Sequence, residues 1–414
     1  MSSTIKLFLA LLRDYIDQVS SKDTIQNYVT EVSEPIEWGA LFKLATYNNV
    51  LPFVYDRINK FSTEFDIDNR YILYMKNWII RNSSKQIRMH DRLNEIVDIF
   101  ELKQIDYHIL KGTILADLYP NPEYRYSCDI DIHIYESQLD EAMNAFENIG
   151  YTYNPEYNSE SDYKFYTPEN YMIELHVELF SKFYEKHKNI FGNINLKSPK
   201  YAVFQKISGR SIRTLAPNGF LIYLICHITK HFIGSGINIR YLMDLSIYIN
   251  KYMDELDFKY IFDILKQLEI DTCVMSFLYI CRDYLGMDEM PFTIPKFDET
   301  VIDILLYDIV EKHLYFDPTD SLSKYSYDKM YGRLLYYRNN KKIALKMIFP
   351  SAQAINKQFS YVKKHKFLLP IAWIHRLCKH FFNILRGKSA KGNITKVQES
   401  INRSHLLKEL ELLK

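Results

Sequence analysis

The chain has 414 residues, of which 47% are hydrophobic and 25% charged, and its formal net charge is +1. This is the composition of an ordinary globular protein, long enough for two or three domains, so disorder is excluded as the default. Glycine is scarce at 12 residues and neither GxGxxG nor GxxxxGK[ST] occurs, which excludes a Rossmann fingerprint and a P-loop, while five scattered cysteines without a CxxC pair exclude a disulfide framework and a zinc ribbon.

The first eighteen residues carry an apolar run too short and too soon acidic for a signal peptide. No stretch reaches the roughly 18 uninterrupted apolar residues that a membrane span needs, so the expected location is cytoplasmic. Helical spacing of apolar residues marks Ile5 to Ile16, Ile36 to Tyr47 and a long helix from Arg70 to Lys103, where Leu93, Ile96, Val97 and Phe100 form a buried stripe. Tyr107 to Leu110 reads as a strand, Gly112 as a turn, and Thr113 to Leu118 as one or two helical turns. Pro120, Asn121 and Pro122 break the chain.

Cys128 to Ile134 alternates like a strand, and Glu136 to Ile149 is an amphipathic helix ending at Gly150. Tyr163 to Tyr166 and Tyr171 to Leu179 read as a hairpin turning at Pro168, Glu169 and Asn170. Helices are predicted again over Phe220 to Phe232, Ile239 to Asn250, Tyr260 to Leu268 and Thr272 to Tyr284. The expected organisation is a helical region 1–90, an α/β core 91–195 with a mixed sheet, a helical domain 196–325 and a basic, partly amphipathic region 326–414: an α+β protein flanked by helices.

The chemistry-bearing stretch is the run from Ile109 to Ile134, followed by Met172 to Leu179. In a strand, residues i and i+2 share a face, so Asp129 and Asp131 project side by side. Adjacent carboxylates repel each other, and a divalent metal relieves that repulsion, with Glu174 on a later strand as a third oxygen ligand. The bland alternative is a charged strand edge that discourages aggregation. Gly112 and Thr113 suit a turn whose N–H groups and hydroxyl cradle phosphate, or simply a strand-to-helix turn with Thr113 as cap. Lys111 suits a partner for phosphate or for Asp129. Arg125 is a phosphate ligand by charge and position, or a solvated loop arginine. His227 and His231, four apart, carry only a weak zinc signal because no Glu follows His227.

These residues resemble the nucleotidyltransferase superfamily with the DNA polymerase β-like fold, and most of all its uncharacterised bacterial branch of stand-alone proteins. The branch's pattern of Leu-Lys-Gly, a Leu-Tyr pair, an Arg and Asp-Ile-Asp is matched by Leu110, Lys111, Gly112, Leu118, Tyr119, Arg125, Asp129, Ile130 and Asp131. The likeness continues through Glu174, Leu175 and His176, and then through His227, His231, Arg240 and Asp244, with Lys230 lining the same cleft by analogy. Lys111 departs from the better-studied members, which carry Gly there.

The resemblance implies a transferase that moves NMP from an NTP such as ATP to a hydroxyl or phosphate acceptor and releases pyrophosphate. It implies a two-magnesium site, with manganese as the substitute, held by Asp129, Asp131 and Glu174, and a nucleotide held by Lys111, Gly112, Thr113 and Arg125. A tRNA, a protein or a small molecule would each serve as acceptor. Two alternatives stay open: a toxin-like tRNA-modifying enzyme, and a non-catalytic nucleotide-binding or scaffold protein with a degenerate core.

From Met330 to Gln398 the chain carries fifteen Lys and Arg and no Asp or Glu, leaving a net charge of about −14 on the remainder. Such a block fits an anionic membrane surface, making the protein peripheral to the membrane, or RNA; otherwise it is a helix docked by its apolar face onto its own chain.

Overall fold

The computed structural model describes residues 1–17, 35–60, 67–155, 162–180, 184, 187–194, 201–234, 236–311, 349, 355, 359, 361–362, 365–385, 403 and 405–412. It comprises two compact units, one of residues 1–230, 237–298 and 309–315 and the other of residues 231–236, 299–308 and 316–414. The α+β class expected from the sequence is the one observed.

The first unit is organised by a five-stranded sheet in the order β1-β2-β5-β4-β3. Its strands are β1 (Tyr107–Ile109), β2 (Asp129–Ile134), β3 (Thr152–Tyr153), β4 (Asp162–Tyr166) and β5 (Met172–His176). Only β2 and β5 run parallel; the other neighbours are antiparallel, as a mixed sheet requires. Strand alternation separates two faces. Ile130, Ile132 and Ile134 of β2, Ile173 and Leu175 of β5 and Phe165 of β4 are buried on one side. Asp129, Asp131, His133, Glu174, His176, Lys164 and Asp162 occupy the other by the same alternation.

Two helices supply partners for the apolar face: α4 (Asn69–Leu102), which follows α1 (Ser3–Asp17), α2 (Trp38–Tyr47) and α3 (Leu51–Lys60), and α6 (Leu139–Asn148). The Phe146 ring of α6 lies 5.0 Å from Phe165 and 5.4 Å from Phe100 of α4. Helix α4 begins where the Asp68 side chain accepts a hydrogen bond from the Arg70 N–H at 2.8 Å. Between β1 and β2 lies the six-residue helix α5 (Lys111–Ala116).

After α7 (Lys188–Ile194) comes a hairpin that the periodicity does not announce, β6 (Ala202–Ile207) and β7 (Arg210–Leu215). It is tied to β1 by the Thr214 hydroxyl, which donates to the Ile109 carbonyl at 2.7 Å. The predicted helices then follow as α8 (Pro217–Gly234), α9 (Ile239–Tyr252), α10 (Phe258–Gln267) and α11 (Asp271–Leu285). Helix α3 lies within the region 1–90 read as helical, although no apolar spacing singles it out there. It is nonetheless amphipathic, with Leu51, Phe53, Val54 and Ile58 buried.

In the second unit, α12 (Glu299–Leu306) is followed by Asp308, which receives an ion pair from Arg403; the same guanidinium donates to the Phe232 carbonyl. Helix α13 (Leu369–Leu385) packs Leu369, Ala372 and Trp373 against Ile355, Phe359 and Val362. Ile371 and Ile374 of this helix, and Phe367 just before it, are exposed. The remainder of the basic block, including 386–398, lies outside the described residues. No helix among the described residues is long and apolar enough to cross a membrane.

Phe165→Ala removes a fully buried ring from the apolar face and is expected to cost about 3–5 kcal/mol, read as a lowered urea midpoint with an unchanged slope.

Candidate active site

The register of the two parallel strands sets Asp131 of β2 directly beside Glu174 of β5. On the far side of β5, Lys164 of β4 stands opposite Glu174 and its ammonium lies 2.7 Å from Oε1. One step along the strands, His108, His133, His176 and Asp162 form a single row across β1, β2, β5 and β4. Within this row His176 bridges two acids, with Nε2 2.9 Å from Asp131 Oδ1 and Nδ1 2.9 Å from Asp162 Oδ1. The His108 and His133 rings meet through their Nδ1 atoms at 3.1 Å.

Asp131 is also reached from the turn after β1. Lys111, the first residue of α5, places Nζ 2.9 Å from Asp131 Oδ1. Its backbone has φ +29°, a region that disfavours any residue with a Cβ. A glycine at this position would be unstrained. At Gly112, close approach matters instead: a Cβ would lie 3.2 Å from Ser127 Oγ, and Ser127 in turn donates to Asp129 Oδ1 at 3.2 Å.

Electrostatics follow from burial and pairing. Burial alone would raise the Asp131 carboxyl, but Lys111 and His176 outweigh it and hold it well below the usual range. Burial would likewise depress His176, yet its bonds to Asp131 and Asp162 raise it to about 9. Burial and the neighbouring Asp131 push the Asp129 carboxyl up, with Lys111 pulling the other way. Lys230 is pushed down by burial and by Lys111, while Asp162, Glu174 and Asp131 pull the other way. His108 falls to about 4, chiefly through burial.

Arg125 is drawn inward. Its guanidinium makes a two-pronged pair with Asp244 of α9 at 2.9 and 2.8 Å, and donates to the Gly112 carbonyl at 3.2 Å. Tyr119 adds a hydrogen bond to the same carboxylate at 2.8 Å. Arg125 is thus buried, joining the turn to α9. Arg240 donates to the Tyr126 carbonyl nearby. His227 sits with its ring 6.2 Å from those of both Tyr223 and Tyr241, in aromatic packing.

Of the seven residues expected at the site, Asp131, Glu174 and Lys111 converge directly. Asp129 is one pleat away. Gly112, Thr113, Ser127 and Asp129 share a cavity of about 240 Å³ with Gln86 and His90 of α4. His176, Lys164 and Asp162 were not assigned roles by sequence reasoning. The signal for the first was present: His176 follows Glu174 by two, the spacing that pairs Asp129 with Asp131.

Asp131, Glu174 and His176 each offer a ligand atom, all within 4.8 Å of one another, the metal-competent group found among the described residues. Two carboxylates and an imidazole fit a divalent cation: the oxygens suit magnesium, and the nitrogen favours manganese. An ammonium already seated on Asp131 shows that this oxygen attracts positive charge.

Residues 34–286 match the family described as "Uncharacterised nucleotidyltransferase". No curated protein matches. Among solved structures, similarity is found to the lincosamide antibiotic adenylyltransferase LnuA, lincomycin-bound, at 16% identity and a TM-score of 0.28, over 38% of this chain and 94% of that one. An antigenic nucleotidyltransferase-like protein from Paracoccidioides brasiliensis is similar at 14% identity and a TM-score of 0.29, over 46% and 88% respectively.

Asp244→Ala leaves the Arg125 charge buried and unpaired, which should lower unfolding free energy by about 3–5 kcal/mol in urea titration. His176 has a folded value of about 9 against an ordinary 6.5, so its protonated form favours the folded state. Its contribution, on the order of 3 kcal/mol, is full below about pH 6.5 and lost as pH rises to about 9. Stability measured in EDTA should therefore fall over that window in the native chain and stay flatter in His176→Gln.

Proposed function

Because the chain belongs to the nucleotidyltransferase family matched over residues 34–286, we propose that it transfers a nucleoside monophosphate from a nucleoside triphosphate to an acceptor hydroxyl or phosphate. The observation that carries this reading is the side-by-side placement of Asp131 and Glu174 on the central parallel strands, with Asp129 on the same face and the Lys111–Gly112–Thr113 turn beside them.

In this reading Asp129, Asp131 and Glu174 hold divalent metal, magnesium or manganese. A bound cation there would supply charge stabilisation at the α-phosphate and a lowered pKa for the acceptor hydroxyl. The acceptor oxygen forms a bond to the α-phosphorus, and the bond from that phosphorus to the bridging oxygen breaks. Pyrophosphate leaves with the electron pair, and the acceptor proton passes to solvent. His176 fixes the orientation of Asp131 through its bond to Oδ1 and is itself held by Asp162. Lys164 keeps Glu174 directed along the sheet face. Gly112 and Thr113, on the wall of the cavity beside Asp129, receive the triphosphate. Arg125 is a positioning residue that anchors the turn to α9 and does not contact the nucleotide.

The test is pyrophosphate release from a panel of NTPs with magnesium or manganese, comparing native protein with Asp131→Asn and Asp129→Ala. We expect release to fall at least a hundredfold in Asp131→Asn, in line with loss of a metal ligand. Release that persists in both variants overturns the assignment. Nucleotide binding by calorimetry without any release would favour the scaffold alternative.

A further inference from the structure

Lys111 occupies a position that nucleotidyl transfer needs for something else. Its ammonium rests on Asp131 Oδ1, one of the two oxygens of the central carboxylate in the metal-competent group. A magnesium–oxygen bond is about 2.0–2.1 Å long, so a metal on this carboxylate would sit close beside that ammonium, and the two would repel strongly in a buried setting. The same Asp131 oxygen also accepts from His176, and Glu174 is already paired with Lys164. Neither central carboxylate lacks a cationic partner. A free dication arriving alone would have to displace one of those partners with no anion to receive it.

A triphosphate changes that balance. The cavity beside Asp129 is walled by Gly112 and Thr113, the two residues immediately after Lys111. The lysine stem is flexible, and its ammonium is a point charge that can exchange a carboxylate for a phosphate held by the two residues that follow it. The backbone helps: with φ +29° at Lys111, the inward setting is held by the Asp131 contact against an unfavourable conformation.

Resting on the nucleotidyl-transfer reading, we propose that Lys111 makes the site take divalent metal and nucleoside triphosphate as a unit. Its ammonium stands in for the metal on Asp131 until a triphosphate draws it away. Metal alone binds weakly because Lys111 competes for the same carboxylate. Triphosphate alone binds weakly because drawing Lys111 away leaves Asp131, beside Asp129, short of positive charge with no metal to replace it.

The test is manganese binding to the full chain, by calorimetry and by the electron paramagnetic resonance of free Mn²⁺. It is run with and without an ATP analogue carrying a methylene group between the α- and β-phosphorus atoms. Native protein should bind Mn²⁺ at least tenfold more tightly with the analogue present, after subtraction of the Mn²⁺–analogue complex. Lys111→Met should bind Mn²⁺ alone at least tenfold more tightly than native protein. Lys111→Gly should do the same, and its glycine suits the local backbone, which keeps the experiment decisive if the Met variant folds poorly. Adding Asp131→Asn should abolish the gain. Unchanged Mn²⁺ affinity in the folded Lys111 variants overturns the inference, as does native protein that binds Mn²⁺ equally well with and without the analogue. If pyrophosphate release is intact in that case, nucleotidyl transfer stands and only the role of Lys111 falls. If release and analogue binding are both absent, the functional reading falls, and the inference with it.

Discussion

The parallel pairing of β2 with β5 is the constraint from which the polar face of the sheet follows. It buries Asp131 against Glu174, an arrangement that is unfavourable unless positive charge is brought to it. Each surrounding group meets that demand from a different part of the fold. Lys111 comes from the turn after β1, Lys164 from the neighbouring antiparallel strand, and His176 from the same strand as Glu174. The pairing also explains the uneven treatment of the two aspartates in the Asp-Ile-Asp run. Asp131 has two cationic contacts, whereas Asp129 has a serine hydroxyl and lies on a cavity wall. A buried acid with two cationic partners and a second acid on a cavity wall form an asymmetric pair.

The apolar side of the same strands is simpler. Ile130, Ile132, Ile173, Leu175 and Phe165 need only volume and a second layer, which α4 and α6 provide through Phe100 and Phe146. The sheet therefore divides by parity: even-numbered residues of β2 hold it to the helices, and odd-numbered residues carry its ionisable groups.

Much of this was legible in the residues because alternation is a local signal. The run from Asp129 to Ile134 states its strand, its two faces and its carboxylate pair without help from the rest of the chain. The long helix α4 and the four helices from Pro217 onward were legible for the same reason, their apolar spacing being regular over many turns. The hairpin of β6 and β7 was not: Phe204 is exposed while Ile207, Ile212 and Leu215 are buried, so the pattern of apolar residues does not map simply onto two faces. Long-range ion pairs were equally silent. Arg125 reads as a loop arginine until its partner, 119 residues later in Asp244, is brought beside it. Lys111 has no evident partner in the sequence until the fold sets its ammonium on Asp131.

The Arg125 guanidinium touches α9 with two of its nitrogens and the carbonyl of Gly112 with the third. Being planar and rigid, it acts as a strut more than as a tether. Helix α9 and the turn at Gly112 are thereby joined at a fixed distance, though they lie far apart in the chain. A rearrangement that rotates or slides α9 is transmitted to the backbone immediately next to Lys111. The turn then has two inputs, one from whatever fills the cavity in front of it and one from the helix behind it. Helical surfaces remote from the carboxylates thus have a mechanical route to them.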